Sequence, residues 1–75
     1  MRTRFKHIHF EEITGLATPR WVCENNKSIF SLGEVVWMPG WKRFVFQPEP
    51  LVEFDSGCLR DIATFLDSLS KETQR

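Results

Sequence analysis

The sequence predicts an α+β fold: a small antiparallel β-meander of three to four strands with one C-terminal amphipathic helix packed on one face, in a single domain spanning residues 1–75. Three observations carry this. Segments rich in Val, Phe and Trp alternate with short turn signals through residue 50, as strands and hairpins do. After Asp55 the apolar period changes from two to the three-and-four spacing of a helix. The length of 75 residues allows one small core and no second domain, since area scaling gives roughly 4,800 Å² of folded surface against roughly 12,900 Å² for the extended chain.

FKHIHFEEI is the first strand candidate, with Ile8 and Phe10 on one face and His7, His9 and Glu11 on the other. Breaks at Gly15 to Pro19, Asn25 to Ser28, Met38 to Trp41 and Pro48 to Pro50 then delimit RWVCEN, IFSLGEVVW and KRFVFQ as three more. The expected pairing across the Met38 to Trp41 turn sets Trp37 opposite Lys42, Val35 opposite Phe44 and Gly33 opposite Phe46, with Gly33 leaving room for the Phe46 ring. Phe30 and Leu32 alternate out of step with Val35, which predicts a bulge between Ser31 and Gly33. Leu51 to Phe54 forms a short extended piece after two prolines.

Asp55 or Ser56 serves as N-cap of the helix, whose apolar stripe is Cys58, Leu59, Ile62, Phe65, Leu66 and Leu69. Leu59, Ile62, Phe65 and Leu66 are expected to pack on Val35, Trp37, Phe44 and Phe46. Lys71 and Arg75 suit the negative pole of the helix, with fraying from Lys71 onward. The opposite sheet face then carries Glu34, Val36, Met38, Trp41, Arg43 and Val45, with nothing to cover it. Aromatic residues make up 13% of the chain, enough to stabilise a core of this size without crosslinks, so Cys23 and Cys58 read as buried free thiols.

The run from Leu32 to Leu66 resembles a family of short uncharacterised proteins encoded by bacteriophages, prophages and their hosts. The matching positions are Leu32 and Gly33, Trp37, Trp41-Lys42-Arg43-Phe44-Val45-Phe46, Pro48, Cys58-Leu59, Ile62 and Phe65, about half the chain. Phe44 stands where the pattern has Tyr. The resemblance implies a phage or mobile-element setting and no established activity.

Ten basic and ten acidic side chains cancel, so no overall field draws the chain to nucleic acid or to an anionic membrane. No apolar run reaches membrane-spanning length and the N-terminal stretch has no signal core, which predicts a cytoplasmic protein without membrane contact. His7, His9 and Glu11 are the ligand-like group of the sequence, with Cys58 a fourth donor only if the helix start lies over the same face. Period-two alternation alone produces such rows, and the reading adopted is a solvated polar face with no metal and no cofactor. Cys58 near a helix start has the placement of an activated thiol, but it falls on the apolar stripe and reads as inert. No Gly-rich phosphate loop, nucleophile elbow or HExxH motif is present, and the chain is not expected to be an enzyme.

Met38, Trp41, Lys42 and Arg43 form the binding candidate, because aromatic and guanidinium groups together dominate binding hot spots. The competing reading pairs Arg43 with Glu34 diagonally and has Trp41 cap the turn or pack on Trp21. The expected function is a non-enzymatic interaction module, a phage or mobile-element accessory protein that takes a host or phage protein as partner, with a second copy of the chain as the rival partner. The alternative is a nucleic-acid binder that lays its sheet into a groove, using Arg2, Arg4, Lys6, Arg20, Lys42 and Arg43. A third reading is a small-ligand or nucleotide sponge formed on dimerisation.

Overall fold

The computed structural model describes residues 1–73; Arg75, expected to serve the helix pole, lies outside them. Strands β1 (Ile8–Glu12), β2 (Arg20–Asn25), β3 (Ser31–Met38) and β4 (Arg43–Pro48) form one antiparallel sheet in the order β1-β2-β3-β4, followed by helix α1 (Ser56–Thr73). The meander with one C-terminal helix is therefore what the alternation and the change of period predict. The helix runs through Lys71 to Thr73.

Asp55 caps the helix: its Oδ1 accepts from the Cys58 N–H at 2.8 Å, and its carbonyl takes the first helical bond from Leu59 N–H at 3.0 Å. From there α1 lays Ile62, Phe65 and Leu69 on Val35, Phe44, Trp21, Cys23, Ile8 and Phe10, with Trp37, Phe46, Cys58 and Leu66 half-buried at the margin. This is the sheet face expected. Leu59 is a correction, being 53% exposed. Ile62, Phe65 and Leu69 carry the buried stripe, and Leu59 is not part of it.

Phe65 is fully buried, stacked on Phe10 with ring centroids 4.0 Å apart, and meets Trp21 edge-on at 5.7 Å. Phe5, Phe44 and Trp37 extend the chain of rings, and Phe46 pairs with Phe54. Every aromatic side chain except Phe30 and Trp41 thus stands in a ring–ring contact. Aromatic pairs, edge-to-face or stacked, contribute about 0.5–1.5 kcal/mol each beyond burial.

Register corrects one expectation. Trp37 lies opposite Phe44, Val35 opposite Phe46 and Gly33 opposite Pro48, a slip of two residues that keeps Val35, Trp37, Phe44 and Phe46 on one face. The cause is the hairpin loop, in which Pro39, Gly40, Trp41 and Lys42 all lie between the last paired residues, Met38 and Arg43. The expected bulge is present: Cys23 pairs with Gly33 and Glu24 with Ser31, leaving Leu32 as the extra residue. Residues before β1 fold back on it, with Phe10 N–H donating to the Thr3 carbonyl at 2.8 Å, Phe5 N–H to the Ile8 carbonyl at 2.8 Å, and Arg4 bridged to His9. That arm buries Phe5 beneath the Arg2 guanidinium, 4.3 Å from the ring centre. Among the described residues, no helix is long and apolar enough to cross a membrane.

Candidate interaction surface

The β3–β4 loop is built by backbone bonds that converge on one carbonyl. Met38 C=O accepts from Trp41 N–H at 3.1 Å and from Lys42 N–H at 2.8 Å, while Pro39 presets the first turn dihedral. Closing the loop puts Lys42 at φ 53°, a left-handed conformation that costs a side-chain-bearing residue about 1–2 kcal/mol. Trp41 therefore projects from a braced loop rather than from a strand, and its indole is 65% exposed. Arg43 Nε donates to the Trp41 carbonyl at 3.3 Å, which holds the base of its guanidinium beside the loop.

Trp41 sits in the turn, as one competing alternative has it, but the contacts of Arg43 with Glu34 and of Trp41 with Trp21 do not form. Trp21 sits in the core against Phe44 and Phe65, and Glu34 is taken by Arg20, with Nη1 to Oε1 at 3.5 Å. Among the described residues no ion pair involves Arg43. Lys42 and Arg43 instead line an open cleft of about 490 Å³ between the hairpin and the helix, floored by Trp37, Phe44 and Leu66 and faced by Asp67. Met38 is half-buried on the sheet beside the loop. Val36, expected on an uncovered face, is only 7% exposed. It lies between Arg20 and Val45 in the ladder, beside the Arg20–Glu34 ion pair.

The metal-like row is also rearranged. His7 precedes β1 in a bend and leaves the row; Glu24, opposite His9 on β2, takes its place, and the ligating atoms of His9, Glu11 and Glu24 lie within 4.8 Å of one another. Cys58 belongs to the helix on the other side of the sheet and cannot join them. Burial, followed by the hydrogen bond and charge of Asp55, raises the Cys58 thiol above its usual range, the reverse of an activated nucleophile. Burial chiefly, with Cys58 and Glu24 nearby, pushes the Cys23 thiol up to about 12. Both cysteines are free.

Sequence reasoning missed a second exposed apolar group. Ile29 and Phe30, in the β2–β3 turn, are 90% and 75% exposed, and Leu51 in the β4–α1 connection is fully exposed. Glu49 N–H donates to the Leu32 carbonyl at 3.0 Å, so these two loops leave the same end of the sheet side by side. The signal was present in Ile29 and Phe30 falling outside the alternation that Val35 and Trp37 keep. The chain matches no protein-family model, no curated protein and no solved structure.

Proposed function

We infer that this protein is a small non-enzymatic binding module whose partner is another protein, engaged through Trp41 with Met38, Lys42 and Arg43 at the hairpin tip. The observation that carries this reading is the pairing of an exposed indole on a braced loop with an arginine that, among the described residues, forms no ion pair. A large apolar side chain held in water adds nothing to folding, whereas a rigid aromatic anchor beside a guanidinium loses little entropy on binding. The adjoining cleft supplies an apolar floor with Lys42 and Arg43 on the hairpin side and Asp67 and Ser70 on the helix side, fitted to a partner segment that carries an apolar side chain and presents its carboxylate to the hairpin side. The phage-family resemblance directs the search to host or phage proteins.

The nucleic-acid alternative has less behind it, because Glu11, Glu24 and Glu34 stand on the sheet face that would meet phosphates and Arg20 is already paired. The test is affinity capture from a bacterial lysate with nuclease, comparing the wild-type chain with Trp41→Ala. A protein retained by the first and lost by the second is the expected result. Retention that disappears with nuclease or falls steeply with salt transfers the reading to nucleic acid, and a Trp41-dependent dimer in sedimentation transfers it to self-association.

A further inference from the structure

We propose that His9, Glu11 and Glu24 form a divalent-metal site suited to zinc on the sheet face opposite the helix. His9 and Glu11 are two residues apart on β1 and Glu24 stands directly across from His9 on β2, so strand register alone brings one imidazole and two carboxylates together. Their ligating atoms fall within 4.8 Å of one another.

Asn26 separates this group from an ordinary polar face. Its Nδ2 donates to the Phe5 carbonyl at 2.8 Å and to the Lys6 carbonyl at 3.2 Å, which fixes the amide and leaves Oδ1 as an acceptor. Oδ1 lies 2.8 Å from His9 Nδ1. The ring proton is thereby placed on Nδ1, and the neutral imidazole carries its lone pair on Nε2. Nε2 faces the acceptor Glu24 Oε1 at 3.2 Å. Two lone-pair atoms at that separation are held by a shared cation, which is either a second ring proton or a metal ion.

Three features favour the metal. Ligands bound at about 2.0 Å to a tetrahedral zinc stand roughly 3.3 Å apart, close to the Nε2–Oε1 separation already present. An Nδ1–H donated to an amide oxygen is the outer contact that orients a metal-ligating histidine. A proton shared between His9 and Glu24 leaves Glu11 idle, whereas a dication is neutralised by both carboxylates and keeps a fourth position open for water or a partner's donor. With both thiols on the helix side, the donor set is nitrogen and oxygen only. Arg4 is the antiparallel bridge partner of His9, which sets a cationic residue at the edge of this group.

The test is calorimetric titration of the full chain with zinc chloride in a non-chelating buffer near neutral pH, with long-range proton–nitrogen NMR of the imidazole rings. One equivalent should saturate, His9 Nε2 should shift while His7 does not, Glu11→Gln should weaken binding by roughly tenfold or more, and Arg4→Gln should tighten it. Glu11 is exposed, so its substitution leaves the fold intact and the comparison clean. Absence of saturable binding, an isotherm unchanged by Glu11→Gln, or a His9 ring doubly protonated with and without zinc overturns the proposal.

Discussion

Gly33→Ala is the substitution whose cost the structure specifies most closely. A Cβ at Gly33 would lie 2.6 Å from the Gln47 carbonyl oxygen, 2.6 Å from Phe46 Cζ and 3.0 Å from Pro48 Cα. Two of those atoms are β4 backbone, so turning a side chain cannot relieve the clash and the β3–β4 ladder must widen where it ends. Gly33 also sits at φ 158°, which residues with a Cβ rarely adopt. Overpacking of this kind costs about 1–3 kcal/mol, and the backbone involvement places Gly33→Ala in the upper part, about 2–3 kcal/mol. Against a total of roughly 4–11 kcal/mol for a chain of this length, that lowers Tm by on the order of 10–20 °C. Gly40→Ala is the control, since nothing lies within 4 Å of its Cβ and it should stay within about 0.5 kcal/mol of wild type. Urea unfolding of both variants measures the difference. Adding Phe46→Leu to Gly33→Ala removes the ring tip but not the carbonyl, and should recover only part of the loss. Equal stability of Gly33→Ala and Gly40→Ala would refute the register that brings Gly33 against β4.

Phe65→Ala should cost about 3–5 kcal/mol from burial alone and leave near-ultraviolet circular dichroism much reduced, because it removes the ring between Phe10 and Trp21. Lys42→Gly should raise stability by about 0.5–1 kcal/mol in thermal unfolding, the relief of left-handed strain less the entropy of glycine, while weakening partner binding. The Cys58 N–H bond holds the Asp55 carboxyl below the usual carboxylate range; a depressed native pKa contributes stability above the unfolded value and loses it as pH falls through the native one. Helix content followed by circular dichroism on acidification should therefore show a component that Asp55→Asn lacks. Cys23, buried and pushed up to about 12, should resist iodoacetamide at neutral pH until the chain is unfolded, which mass spectrometry reads directly.

Sheet faces were legible because period two survives a slip of two residues, and for that reason the core of Val35, Phe44, Ile62 and Phe65 follows from the sequence although the pairing of Trp37 does not. Loop length was not legible, since it depends on Lys42 accepting a backbone conformation that its residue type does not advertise. His7 left its row and Phe5 entered the core through one cause, the turn that folds the first residues back on β1, and no Gly or Pro marks that turn. Trp41 and Arg43 were picked out by residue type, whereas the cleft that Lys42 and Arg43 line also needs Leu66 and Asp67 of the helix, which the strand pattern does not reveal. Glu24 entered the candidate ligand set through strand pairing, which one strand's alternation cannot reveal.

The folded-back N-terminal arm makes the sheet asymmetric at its margins. β1 is covered over its first half by Thr3 and Arg4, whereas β4 pairs only with β3 among the named strands. A sheet with two bare margins can recruit copies from both sides and grow without limit. With one margin occupied, pairing of β4 with its counterpart in a second molecule would join them about a two-fold axis and leave no comparable edge for a third, so association by this route ends at a pair.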